Sequence, residues 1–181
     1  MEDCRIISPF ISEDDRGFFL KTYEMGKMKS YNIEFTPYET FFSLSQAHTI
    51  RGLHFQTNPM QAKLVSVLRG RVFDVVLDLR RGSKTFGKWK SFELSQENHY
   101  VLYIPKGFAH GFYAYENDTL MSYICDERYN SETDTGIKWD DKTICIDWPC
   151  IDRDRLILSE RDKSFQTFES FRSTVGALEE G

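Results

Sequence analysis

Cysteine is scarce and poorly placed for metal or redox work: Cys4, Cys125, Cys145 and Cys150 make neither a C-x-x-C pair nor a His-bearing zinc pattern. Their expected state is reduced, as small packing groups. Histidines number only four, which disfavours an imidazole-rich metal site. Basic charge is in deficit. The 23 Lys and Arg against 28 Asp and Glu leave a net charge of -5, the wrong sign for a surface that gathers nucleic-acid phosphates. The opening Met1-Glu2-Asp3-Cys4 lacks the basic start and apolar run of a secretory signal. No later stretch approaches the roughly 20 apolar residues of a membrane-spanning helix. These absences predict a soluble, cytoplasmic protein with neither nucleic acid nor membrane as partner. Nothing repeats and no break in composition divides the chain, so its 181 residues are expected to form one domain with a properly buried core.

What the chain does have is a succession of short β-rich segments from Phe41 to Cys125, broken by Gly, Pro, Asn and Asp at the spacing of a sandwich or barrel. Val72 to Leu79 is the clearest strand. Phe73, Val75, Leu77 and Leu79 share one face, while Asp74, Val76 and Asp78 share the other, a mixed face suited to a pocket wall. Tyr100 to Ile104 reads as a strand that stops at Pro105-Lys106-Gly107 before Ala109 to Tyr115 resumes. Asn58-Pro59, Arg81-Gly82-Ser83 and Glu116-Asn117-Asp118 mark further turns. Helical signals are confined to the ends. Ser159 with Asp162 resembles a capping box, and Phe165, Phe168 and Phe171 recur at helical spacing, which predicts one short C-terminal helix packed on the sheet. Residues from Val175 to Gly181 are expected to fray. An all-β chain of this length must hide its sheet edges, and a closed barrel or a double-sheet jelly roll does so.

Into this apolar pattern Arg51-Gly52-Leu53-His54-Phe55-Gln56 and Lys63 insert polar groups, and burying those demands compensation. In a regular strand Arg51 and His54 would face opposite ways. Gly52 between them suggests a bulge that turns both toward one cavity; the plain alternative makes His54 a satisfied core histidine and Arg51 a rim residue. His110 and Tyr123 likewise have ordinary structural readings, a lone packed histidine and a buried tyrosine with a bonded hydroxyl. Gln56 stands where a His-x-His metal pair would need its second histidine.

These motifs together resemble one family. Arg51 to Gln56, Lys63-Leu64-Val65, Gly70 to Val75 and Ile104-Pro105-Lys106-Gly107-Phe108-Ala109-His110-Gly111-Phe112 closely resemble the dTDP-4-dehydrorhamnose 3,5-epimerase family. The resemblance starts near Asp15-Arg16-Gly17-Phe18-Phe19 and continues through Ile137 to Asp141 and Asp147-Trp148-Pro149. It implies a mainly β, cupin-type double-stranded β-helix, a jelly-roll barrel with short terminal helices. It also implies a homodimer with exchanged N-terminal strands, and neither metal nor cofactor. The family's reaction inverts the carbons beside the 4-keto group of a nucleotide-linked sugar. By this resemblance His54 is the base, Asp162 the carboxylate that orients it, Lys63 the ammonium near the keto oxygen and Tyr123 the acid on the other ring face. Arg51 would hold pyrophosphate, and Arg16, Gln56, His110 and Tyr129 would also contact substrate. An imidazole with a pKa of about 6.5 suits the first role, and a fixed positive charge beside the developing enolate suits Lys63.

Three positions depart from the family. Lys21 follows Leu20 where an acidic residue is common, and Glu39 and Phe41 stand where Gln-x-Asn is usual. These are nucleotide-side positions in the family. The substitutions predict retained catalysis with a changed nucleotide, a GDP-linked 4-keto heptose or 6-deoxy sugar for surface polysaccharide being the preferred alternative to dTDP. Competing expectations are an epimerase acting at C3 alone, a 3,4-ketoisomerase, and a noncatalytic sugar-nucleotide-binding cupin.

Overall fold

Alternating apolar residues punctuated by turn chemistry build twelve strands in the computed structural model, which describes residues 1, 3–149 and 152–179. The chain passes through β1 (Arg5–Ile7), the hairpin β2 (Phe10–Asp14) and β3 (Gly17–Lys21), and helix α1 (Met25–Ser30). Strands β4 (Glu39–Ser45), β5 (Ile50–Gln56), β6 (Lys63–Arg69), β7 (Arg71–Asp78), β8 (Trp89–Ser95), β9 (Val101–Ile104), β10 (Phe108–Ala114) and β11 (Thr119–Cys125) follow. Strand β12 (Asp134–Gly136) and helices α2 (Glu160–Ser164) and α3 (Phe168–Thr174) complete the order. Two five-stranded sheets result, ordered β1-β9-β6-β11-β4 and β12-β5-β10-β7-β8. Every pairing between these strands is antiparallel, and the two-sheet arrangement is that of the mainly β cupin fold. No helix among the described residues is long and apolar enough to cross a membrane.

The two faces of β7 separate as the period of two predicts. Val75, Leu77 and Leu79 pack outward under Phe168, Phe171 and Trp148. Val72 and Val76 point inward, where they meet Val65 and Met121 from the opposite sheet. Asp74 lies on the inner face and is fully buried. Asp78 corrects the expectation of a shared pocket wall. Its carboxylate accepts hydrogen bonds from the Arg80 backbone and guanidinium, from Ser83 Oγ at 2.6 Å and from Thr85 Oγ1 at 2.6 Å. Burial alone would push this carboxyl up; the surrounding donors outweigh it and hold its pKa at about 2. Asp78 therefore ties the β7–β8 connection.

Two further expectations change. The single C-terminal helix is two helices, because Phe165 turns extended to lay its ring against His54 and Gln166 pairs with Ile137. Thr167 then caps α3 by accepting from the Ser170 amide. Beyond α3, Leu178 is buried, its amide donates to Leu79 O, and its carbonyl accepts from Arg81 N. Cys4 and Cys125 are buried packing groups, but Cys145 is exposed in a turn at φ 50°. Cys150 lies outside the described residues.

Candidate active site

Strand β5 carries the bulge that its glycine suggests. His54 pairs with His110 and Arg51 with Phe112, so three steps along β5 match two along β10. Only glycine fits the inserted position. Gly52 has φ 119°, and a Cβ there would stand 2.6 Å from Gly111 Cα and 2.8 Å from His110 O. The bulge brings Arg51 and His54 to one cavity of about 210 Å³, with Lys63, His110, Tyr123 and Phe41 also in its wall. Larger hollows around Arg71, the β2–β3 hairpin, Trp139 and Lys138 are more open and lie away from these groups.

His54 Nε2 lies 2.8 Å from Asp162 Oδ1. Asp162 occupies the first turn of α2, where its amide donates to Ser159 Oγ at 3.0 Å and its second carboxylate oxygen accepts from Gly52 N at 3.1 Å. The helix cap and the His-Asp couple are compatible, since one uses the backbone amide and the other the side chain. Burial would raise the Asp162 carboxyl, but the bond and charge of His54, together with Gly52 N and Ser159, outweigh it and hold the carboxyl below the usual range. It is ionised and fixes the ring. His54 Nδ1 has no hydrogen-bond partner among the described residues, so a basic nitrogen remains for a ligand.

A second couple lies alongside. His110 Nε2 is 2.8 Å from Asp74 Oδ2, both residues are buried, and Asp74 Oδ1 has no partner among the described atoms. Burial pushes the Asp74 carboxyl up, against the pull of His110. Lys63 opens β6 opposite Cys125. Burial lowers its pKa, while Cys125, Asp134 and Glu39 pull it back up. Tyr123 is buried and its phenol is pushed far up by that burial, so it stays protonated. Its ring stacks on Phe41 at 4.6 Å and 11°, the two residues being directly opposite in the β4–β11 register. Arg51 is held by Ser45 Oγ and Leu44 O, each at 3.1 Å.

The other expected contacts are placed elsewhere in the chain. Arg16 is at the tip of the β2–β3 hairpin, paired with Asp14 at 2.6 Å and almost fully exposed. Lys21 pairs with Glu24 on the same surface. Gln56 is buried and spends its amide on the carbonyls of Pro59 and Arg128 and on Asn130 N. Tyr129 is exposed, its hydroxyl donating to Asp134 Oδ2. Glu39 accepts from Gln61 and from the Tyr129 amide, tethering that loop. Two partners went unnoticed in the sequence: Ser43, which is two residues from Phe41 and so shares its face, and the engagement of Asp74 with His110.

A family profile described as dTDP-4-dehydrorhamnose 3,5-epimerase matches residues 1–170. The dTDP-4-dehydrorhamnose 3,5-epimerase of Methanothermobacter thermautotrophicus is 43% identical over 166 residues, 92% of this chain and 90% of that protein. A Legionella pneumophila dTDP-6-deoxy-D-glucose-3,5-epimerase, solved in complex with dTDP-4-keto-L-rhamnose, superposes with TM-score 0.93 at 36% identity over 100% of this chain and 95% of the other. A Bacillus anthracis dTDP-4-dehydrorhamnose 3,5-epimerase with TDP and PPi bound gives TM-score 0.86 at 40% identity, over 91% and 94% of the two chains. With a bulged strand aiming an imidazole and a guanidinium into one cavity, and with these matches along nearly its whole length, the chain belongs to the dTDP-4-dehydrorhamnose 3,5-epimerase family of isomerases.

Proposed function

We propose that this protein inverts C3 and C5 of a dTDP-linked 4-keto-6-deoxy sugar, in deoxysugar biosynthesis. The observation that carries the reading is one small cavity lined by a carboxylate-held imidazole, a protonated phenol and an ammonium. His54 takes the proton from the carbon beside the ketone, and the C–H electron pair moves into an enolate. Lys63 stabilises the oxyanion, its charge strengthened by low surrounding dielectric. Tyr123 returns a proton to the carbon from the opposite face. Arg51 presents its guanidinium to the pyrophosphate.

The expected switch to GDP or to a heptose is not part of this reading. Phe41 is stacked on Tyr123 and Glu39 is engaged by Gln61 and the Tyr129 amide, so neither offers a group to a base. Two relatives solved with ligand carry dTDP-4-keto-L-rhamnose in one case and TDP with PPi in the other. The test is incubation in D2O with dTDP-4-keto-6-deoxyglucose and with its GDP counterpart, with deuterium located by NMR. Deuterium at C3 and C5 of the dTDP sugar is expected. Incorporation only at C3 would leave a single epimerase, preference for the GDP sugar would restore the nucleotide switch, and no incorporation would leave a binding cupin.

We propose further that the protein is a homodimer in which the β2–β3 hairpin docks on a second copy and delivers Arg16 to that copy's cavity. Exposed Phe10, Ile11, Phe18 and Phe19 on the hairpin, with Phe42 and Leu44 on edge strand β4, support this. Light scattering should give twice the chain mass; a monomer at micromolar concentration sinks the idea.

A further inference from the structure

Among the described residues the Tyr123 hydroxyl has two partners: Ser43 Oγ at 3.2 Å and Met121 Sδ at 3.5 Å. A thioether has no proton to give. The Phe41 ring covers one face of the phenol, and the His110 ring stands near it at 6.3 Å. Only 6% of Tyr123 is exposed. A phenolate left behind by proton delivery is therefore poorly placed to meet bulk water. Ser43 shares the cavity wall with Tyr123, is less buried than the phenol, and its Oγ touches the hydroxyl.

Strand geometry explains why Ser43 is there. The β4–β11 register runs unbroken from Glu39 opposite Cys125 to Ser45 opposite Thr119, which sets Phe41 against Tyr123 and Ser43 against Met121. Residues two apart on a strand share a face. The ring that stacks on the phenol and the hydroxyl that meets its oxygen therefore arrive together on β4.

We propose that Ser43 is the proton relay that recharges Tyr123 between turnovers. The proposal rests on the reading of Tyr123 as the acid. When that acid acts, its O–H bond breaks, the proton joins the enolate carbon, and the bonding pair stays on the phenolate oxygen. Ser43 Oγ–H then breaks toward the phenolate while Oγ takes a proton from a solvent water in the cavity. The hydroxide so formed is neutralised by the proton that His54 took from the substrate and releases to solvent. No net charge is left. Ser43 is thus a positioning residue that acts through Tyr123.

The experiment follows deuteron delivery in D2O by rapid quench and NMR for wild type, Ser43→Ala, Ser43→Thr and Tyr123→Phe. In Ser43→Ala the first deuteron per active site should appear at the wild-type rate, followed by steady turnover slowed about 10-fold, a modest share of a general acid's contribution. Ser43→Thr, which keeps the hydroxyl, should return to within about threefold of wild type by the same reasoning. Loss of rate in the first and later turnovers alike would mean a merely structural role and overturn the relay, as would an unaltered steady state. Should Ser43→Ala not fold, the wild type decides: steady-state inversion in mixed H2O and D2O should curve with deuterium fraction, since two protons move together, and a linear dependence overturns the relay. Tyr123→Phe separates the two levels. If it inverts normally the acid assignment fails, whereas an impaired Tyr123→Phe beside an unaffected Ser43→Ala rejects the relay alone.

Discussion

His54→Asn should abolish solvent exchange at both carbons beside the ketone and lower kcat by about 10²–10⁴-fold, the usual contribution of a positioned general base. Asparagine preserves much of the side chain's shape and its ability to meet Asp162, so the loss reports chemistry more than packing. KM should move far less, because the imidazole binds little of the substrate that Arg51 and the cavity wall do not. Asp162→Asn should fall on the same path with a smaller loss. The amide can still accept from Gly52 N, but it withdraws the charge that sets His54 Nε2 as the donor and leaves Nδ1 free. The assay is deuterium uptake from D2O, read separately at each carbon. A His54→Asn protein that exchanges at the wild-type rate would remove the base from this residue.

Gly52→Ala should be the most damaging single-atom addition in the site. The backbone there has φ 119°, and the new methyl would stand 2.6 Å from Gly111 Cα and 2.8 Å from the His110 carbonyl, neither of which is a flexible chain end. Backbone strain of this kind costs about 1–3 kcal/mol by itself, and the crowding adds to it. A total near 4 kcal/mol would lower Tm by roughly 8–16 °C for a chain of this size. Gly17→Ala is the control, since Gly17 has φ 114° with nothing within 4 Å of a built Cβ. It should show the backbone part alone. Equal melting shifts for the two variants would mean that the close approach of β5 and β10 contributes nothing. Activity should fall in Gly52→Ala beyond what unfolding explains, because widening the bulge moves Arg51 and His54 apart.

Local spacing was readable because its physics is local. The period of two placed Val75, Leu77 and Leu79 on one face of β7. Pro105-Lys106-Gly107 marked the β9–β10 turn, where Gly107 takes φ 83°. The glycine of Arg51-Gly52-Leu53-His54 marked a bulge before any partner strand was known. The Ser159 cap was also visible. It coexists with the His-Asp couple, because an aspartate amide and its carboxylate serve different partners.

Pairings between distant residues were legible only through family resemblance or not at all. Asp162 lies 108 residues from His54, and resemblance alone joined them. His110 and Asp74 are 36 residues apart, and Ser43 and Tyr123 are 80 apart. Their meeting depends on strand register, which a chain settles by burying its apolar faces together. Asp78 shows the converse: its alternation with Asp74 was correct, yet Arg80, Ser83 and Thr85 claim it at the strand end. The break between α2 and α3 is tertiary too, since Phe165 leaves helical geometry to meet His54, and Leu178 is seated by a bridge to Arg80 that the tail's composition does not reveal. The sequence by itself determined the β pattern, the turns, the bulge and the residue types that do chemistry. Which of those residues share a cavity, and which carboxylate serves which imidazole, was decided by the packing of two sheets, because contacts across a sheet depend on register and burial summed over the whole chain.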